Sequence, residues 1–233
     1  MNELFYNMDI TEHDKEFFLN KDESKHLIKS LRKKVGDRLL FTNGKGFKFN
    51  TRLDKFDGKI SKFSILNNEK IKSFENLHIA ISLLKSPTRF ENFLEKVTEI
   101  GVKEITPIIC QRTIKKNINH SRCLRILTSA VKQSFKFKLP KLNKPQKLKD
   151  FIKQSDENIK LIATCHNYKK LKLKDAFSSK TKNLILIGPE GDFTKEEIKN
   201  AVKNKFEIVS LGNSRLRAET AGIYSCSAFS LIK

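Results

Sequence analysis

Hydrophobic positions along this chain fall into two regimes. Up to about residue 70, short apolar runs are broken by turn residues; beyond it, wholly apolar runs alternate with helical stretches. In the first regime DESKHLIKSLRKKVG places Leu27, Ile28 and Leu31 on one helical face. Ser24 near its start and Gly36 as its stop predict a single helix there. RLLF, FKFNTRL and KISKFSIL then read as strands separated by TNGKG and FDG. Asn43-Gly44 and Asp57-Gly58 are hairpin signals, because such turns require positive φ. A small antiparallel barrel or sheet is expected, with the polar stretch NNEKIKSFEN (67–76) as linker.

The second regime opens with LHIAISLL (77–84), apolar but for His78 and Ser82, as a buried parallel strand should be. RFENFLEKVTEIG follows, with Phe90, Phe93, Leu94, Val97 and Ile100 on one helical face and Gly101 at its end. ITPII (105–109), a helix near 120–136 and IKLIAT (159–164) come next. NLILI (183–187) precedes a predicted helix over 194–204, and FEIVSL (206–211) precedes another over 218–231. Alternation of this kind predicts an α/β domain with a parallel sheet and helices on both faces. The expected division is 1–72 and 73–233, with no internal repeat.

Composition narrows the function classes. With 233 residues, 38% of them hydrophobic and 18 Phe, the chain can bury a core and is not a disordered tail. Lys and Arg number 47 against 26 Asp and Glu, a net charge of +21 that favours polyanions such as RNA. No stretch reaches transmembrane length, and MNELFYNMDITEHDKEFF is too polar for a secretory signal, so no membrane partner is expected. Cys110, Cys123, Cys165 and Cys226 are widely spaced and lack a CxxC, which fits reduced cytoplasmic thiols. Cys165 and His166 are adjacent and point apart on an extended chain, so no metal is expected.

The candidate site begins at LILIGPEGDFTKEEI (184–198), where an apolar strand stops at a glycine corner. Gly188 and Gly191 permit a sharp turn or close approach of a ligand to bare backbone. Thr194 and Glu197 form a capping-box pattern that starts the next helix. Alone, GPEG reads as an ordinary strand-to-helix loop, and it carries neither GK[ST] nor GxGxxG. LGNSRLRAETAGIYSCSAF (211–229) repeats the arrangement, with Arg215 and Arg217 in its loop, and ATCHN (163–167) ends a third strand. Three loops at the carboxyl edge of one parallel sheet can form a pocket.

These residues resemble a known family. GPEG followed by F-T-x-x-E, then LGxxxLRxETA, is similar to the signature of SPOUT methyltransferases. More narrowly, the chain resembles the bacterial 16S ribosomal RNA uracil-N3 methyltransferases, the ribosomal RNA small subunit methyltransferase E family. KHLIKSLRKKVGDRLLFTNGKG, LLKSPTRFENFLEKVTEIGVKEITPIICQRT and RILTSAVKQS extend the likeness over nearly the whole chain. Asp192 stands where the family usually has Gly, Ser214 where it has Arg, and Ala218 where it has Thr. The family's Q-S-G-R appears as Gln133-Ser134-Phe135-Lys136.

The resemblance implies a PUA-like RNA-binding barrel followed by a trefoil-knotted SPOUT domain, a homodimer, and a 16S rRNA substrate on the small ribosomal subunit. It implies S-adenosylmethionine as cofactor, held in the first loop by Thr164. The second loop would contribute Leu186, Ile187, Gly188, Pro189, Glu190 and Gly191. The third would contribute Leu211, Gly212, Leu216, Arg217 and Thr220. Family-like basic positions Lys85, Arg89 and Arg112, with Arg32, Lys33 and Lys136, are RNA candidates. Uracil N3 must lose its proton before attack, and a cation near O2 and O4 would stabilise the anion. Arg217 is the candidate for that task; its alternative is to pin its loop to Glu190 or Glu219. Glu190 itself reads as a loop holder. Two rival functions stay open: a SPOUT methyltransferase for another base or a ribose hydroxyl, and a non-catalytic RNA-binding assembly factor.

Overall fold

A computed structural model describes residues 3–72 and 76–232. The chain divides into two compact units, Met1–Ser73 with Val131–Leu139, and Phe74–Ala130 with Pro140–Lys233.

The first unit is a five-stranded sheet. Its strands are β1 (Leu4–Tyr6), β2 (Glu16–Leu19), β3 (Arg38–Thr42), β4 (Phe47–Phe56) and β5 (Ser61–Lys70), in the order β1-β3-β4-β5-β2. Neighbours are antiparallel except β1 and β3, which run parallel. Alternating side chains bury Phe17, Phe41, Phe49 and Phe63 on one face. The Phe17 ring lies 5.0 Å from both Phe63 and Phe41, stacked on one and edge-on to the other. Gly44 (φ 73°) and Gly58 (φ 92°) make the predicted hairpin turns.

Two expectations need correction here. The single helix ending at Gly36 is a short α1 (Lys21–Lys25) continued by a π-helical turn over His26–Ser30. Asn20, not Ser24, caps it, accepting from the amides of Asp22 and Glu23. Ser24 is buried instead, donating to the Leu19 carbonyl and accepting from the Ser61 amide. The helix closes early because Arg32 is left-handed (φ 54°) and the Lys33 amide reaches back to the Leu27 carbonyl. The expected linker is partly strand, since β5 runs to Lys70; residues 73–75 of it lie outside the described residues.

Val131–Leu139 joins this unit by backbone pairing. The Gly46 amide donates to Phe137 (2.8 Å) and the Leu139 amide to Gly44 (2.8 Å), and the Thr42 hydroxyl also donates to Phe137 (3.0 Å).

The second unit is an α/β layer structure. Its strands are β6 (Leu77–Ser82), β7 (Glu104–Ile109), β8 (Lys141–Leu142), β9 (Gln146–Lys147), β10 (Ile159–Ala163), β11 (Leu171–Lys172), β12 (Asn183–Ile187) and β13 (Glu207–Ser210). All run parallel, in the order β11-β13-β10-β12-β6-β7-β8, with β9 also paired to β7. The helices are α2 (Pro87–Ile100), α3 (His120–Gln133), α4 (Leu148–Gln154), α5 (Leu173–Ala176), α6 (Lys195–Lys203) and α7 (Ala218–Ser230).

On one side of the sheet α7 packs on β6 and β12 together with α2 and α5; α4 and α6 pair on the other. Every residue of β6 and β12 is buried, because both strands are covered on both faces. The apolar cluster beneath α4 and α6 takes Leu184 and Leu186 from β12, with Phe193, Ile198 and Phe206. Strand alternation therefore turns Ile185 and Ile187 toward the α7 side. Helix α7 approaches α2 closely at Gly222, where a Cβ would stand 2.5 Å from the Phe93 ring.

Candidate functional site

The strand order makes β13, β10 and β12 neighbours, so the loops leaving their carboxyl ends meet. Between them lies a cavity of about 540 Å3. Thr164 and Cys165 line it from the first loop, Ile187 to Glu190 and Asp192 from the second, and Ser210 to Arg217 from the third. Ala218 and Ala221 of α7 complete it, with Lys170 at the edge.

The β12 loop is held from several directions. The Asp192 amide donates to the Pro189 carbonyl (2.8 Å), closing a tight turn that leaves Asp192 at φ 62°. At Gly188 a Cβ would meet the fully buried Phe193 ring at 3.1 Å, so glycine lets the corner seat on that ring. Glu190 Oε1 accepts from the Lys85 amide (3.0 Å), and Arg112 Nη1 donates to the Gly191 carbonyl (2.5 Å). The Asp192 carboxylate accepts from the Thr164 hydroxyl (2.8 Å) and the Cys165 amide (2.7 Å). His166 Nε2 donates to the Phe193 carbonyl (2.9 Å). Beyond the loop, the Thr194–Glu197 capping box starts α6 with both of its bonds formed.

The β13 loop is different. Gly212 turns at φ 118°, and residues 212–215 are exposed. Its side-chain hydrogen bonds among the described residues are local, the Ser210 hydroxyl with the amide and carbonyl of Gly212. Arg217 stands as the extended residue before α7. Glu219, its neighbour on α7, lies 3.6 Å from Arg89 Nε, and Glu190 is engaged by the Lys85 amide. Among the described residues no carboxylate comes within ion-pair distance of Arg217, so neither Glu190 nor Glu219 pins it.

Of the residues expected at a cofactor, Thr164, Ile187, Gly188, Pro189, Glu190, Leu211, Gly212, Leu216 and Arg217 share this cavity. Three are placed elsewhere. Leu186 faces the α4–α6 side, because alternation along β12 turns it to the face opposite Ile187. Gly191 turns toward Arg112, whose Cδ would be 3.2 Å from a Cβ there. Thr220 is exposed on α7, while Ala218 and Ala221 take the cavity side.

Sequence reasoning missed Cys165, Lys170, Asp192, Ser210, Asn213 and Ser214 as lining residues. The usable signal was position: each lies within two residues of a loop glycine or a strand end.

The basic candidates divide. Lys85, Arg89 and Arg112 touch the β12 loop or the start of α7 through the contacts above. Arg32, Lys33 and Lys136 belong to the first unit, where Lys33 pairs with Glu3 at 2.8 Å. Among the described residues no group of His, Cys, Asp and Glu is arranged for a metal, and no helix is long and apolar enough to cross a membrane.

The cavity suits an amphiphilic ligand of nucleoside size. Ile187, Leu211, Leu216, Ala218 and Ala221 supply apolar wall, and the glycine corners present backbone donors and acceptors for orientation.

Comparisons with known proteins agree with that geometry. Residues 71–230 match the RNA methyltransferase domain family, and residues 19–64 match the RNA methyltransferase PUA domain family. A curated relative, ribosomal RNA small subunit methyltransferase E of Buchnera aphidicola, is 30% identical over 91% of this chain and 87% of its own. The crystal structure of a probable rRNA-methyltransferase from Porphyromonas gingivalis superposes with TM-score 0.92 at 34% identity, covering 99% and 98% of the two chains. Ribosomal RNA small subunit methyltransferase E from Neisseria gonorrhoeae, solved bound to S-adenosyl methionine, gives 0.88 at 25% identity over 99% and 98%.

Proposed function

This chain belongs to the RNA methyltransferase family, within the ribosomal RNA small subunit methyltransferase E group, and from that premise we propose that it methylates N3 of one uridine in 16S rRNA with S-adenosylmethionine. The observation that carries this reading is one cavity built by three neighbouring loops, with Arg217 on its wall and no ion pair to it among the described residues.

When bound there, S-adenosylmethionine supplies a methyl group on a positively charged sulfur. Ile187, Leu211 and Leu216 exclude water around the ligand, and the amides and carbonyls of the β12 and β13 loops orient it. Uracil N3 is protonated at neutral pH and becomes a nucleophile only as the anion. Arg217 holds its guanidinium toward the charge that spreads onto O2 and O4, which lowers the cost of losing the N3 proton. In the balanced reaction the N3–carbon bond forms, the sulfur–carbon bond breaks, and the proton leaves to solvent. Asp192 and Glu190 do not serve as its acceptor in this reading: they hold loops, through backbone amides.

Lys85, Arg89 and Arg112 lie near the cavity loops and supply positive charge for the RNA backbone, with Arg32, Lys33 and Lys136 of the first unit as further phosphate contacts. A trefoil-knotted chain path, a homodimer and a cytoplasmic location complete the reading. The fold division into an RNA-binding segment, 1–72, and a catalytic one, 73–233, is part of the same proposal, amended by the attachment of Val131–Leu139 to the first unit.

The test is methylation of unmodified small ribosomal subunits by the purified protein, followed by mass mapping of 16S rRNA nucleosides. One 3-methyluridine per rRNA is expected. A ribose-methylated nucleoside would overturn the N3 assignment. Absence of both methyl transfer and calorimetric binding of S-adenosylmethionine would overturn the enzyme reading.

A further inference from the structure

Asp192 occupies a position that its backbone makes unfavourable for a side chain. At φ 62° a residue other than glycine is strained, with Asn and Asp the least penalised. The resemblance drawn from sequence places glycine here. The side chain present in this chain is nonetheless fully engaged. One carboxylate oxygen accepts from the Thr164 hydroxyl (2.8 Å) and the Cys165 amide (2.7 Å), both in the loop after β10. The other accepts from the Phe193 amide (2.7 Å) in its own loop.

A second tie lies beside the first. His166 Nε2 donates to the Phe193 carbonyl (2.9 Å), and the His166 amide donates to the Thr164 hydroxyl (3.1 Å). Thr164, Cys165 and Asp192 all line the cavity. The two loops leave adjacent parallel strands, β10 and β12, and Asp192 lies 28 positions along the chain from Thr164. The parallel ladder aligns the strands as far as Ala163 and Ile187, and beyond it these side-chain hydrogen bonds tie the two loops together. Bonds to a charged acceptor are roughly twice as strong as neutral ones, and here they span two segments that must otherwise be ordered when a ligand arrives.

We infer that Asp192 is a positioning residue: a carboxylate latch that locks the β10 loop to the β12 loop and so preorganises one wall of the methyl-donor cavity. The inference rests on the reading of this cavity as the S-adenosylmethionine site. Asp192 needs no contact with the reacting atoms for this role. Its contribution appears in donor binding, because the wall is already in place before the ligand enters.

The backbone makes the test discriminating. Replacing Asp192 by glycine relieves the left-handed strain while deleting the latch, so stability and donor affinity should move in different directions. In Asp192→Gly the melting temperature is expected to hold or rise. The calorimetric Kd for S-adenosylmethionine is expected to increase about tenfold, ~1.4 kcal/mol. KM for the donor should follow Kd, with a smaller change in kcat.

The amide of Cys165 should lose hydrogen-exchange protection in the ligand-free variant. Asp192→Asn keeps an acceptor and tolerates the backbone, so it should recover part of the affinity. Donor affinity within twofold of wild type in Asp192→Gly, or an unchanged Cys165 amide, would overturn the latch. So would parallel losses of affinity and melting temperature, which would make Asp192 a general fold element. Wild-type protein that failed to bind S-adenosylmethionine would instead sink the reading of the cavity, so the two failures are distinguishable.

Discussion

The loops after β12 and β13 form two walls of one cavity, yet they are built on different principles. The β12 loop is bound to its surroundings at Glu190, Gly191, Asp192 and Phe193, by Lys85, Arg112, Thr164, Cys165 and His166. The β13 loop presents exposed Gly212 to Arg215, with side-chain bonds only between Ser210 and Gly212 among the described residues. One wall is preorganised, the other is free to adjust. Such a division pairs a wall of fixed geometry with an exposed cationic one, Arg215 and Arg217.

The comparison is most severely tested at Phe193, the buried ring on which Gly188 rests. Phe193→Ala removes a fully buried aromatic and should cost about 3–5 kcal/mol, read as a lower denaturation midpoint. A loss under 1 kcal/mol would mean the fixed wall does not depend on that ring.

Arg217→Ala addresses the other wall. An exposed arginine with no ion pair among the described residues should be lost without harm to stability, while kcat falls about 100-fold and donor affinity changes little. Methylation at the wild-type rate would overturn the role proposed for it in stabilising the uridine anion.

A smaller effect is expected at the junction of the β12 loop with α6. Thr194→Ala removes one half of the capping box and should lower stability by about 1 kcal/mol in chemical denaturation. No change would show that Glu197, which also accepts from the Gln111 amide, suffices to hold the helix start.

Thiol chemistry sharpens the contrast at lowest amplitude. Burial pushes the Cys110 thiol up to about 12, so it stays protonated and inert at pH 8, whereas Cys165 is exposed on the cavity wall. Native protein at pH 8 should alkylate first at Cys165, and S-adenosylmethionine should slow that reaction. Peptide mass mapping that found Cys110 modified as fast would contradict its burial.

Much of the fold was legible because it rests on local chemistry. Runs of Leu, Ile and Ala, broken only by His78 and Ser82 in β6 and opened by Asn183 in β12, announced two strands covered on both faces. The capping box of Thr194 and Glu197 placed the start of α6, and Gly44 and Gly58 adopted the positive φ that their turns required. The helix after Asn20 was misjudged because its end is set by Arg32 in a left-handed conformation, which no composition rule favours. The loop glycines pointed to the site, but they did not distinguish Gly188, which lines the cavity, from Gly191, which receives Arg112.

The amino-acid sequence alone determined the alternation of strands and helices, the glycine corners, the positive charge and the kinship to RNA methyltransferases. These follow from periodicity, backbone sterics and residue patterns that act over a few positions. Tertiary structure decided which strand ends became neighbours, that Val131–Leu139 joined the first unit, and that Asp192 met Thr164 and Cys165. Those outcomes depend on pairings between residues 24 or more positions apart, as Ile159 is from Asn183, whose hydrogen bonds exist only once the sheet has brought them together.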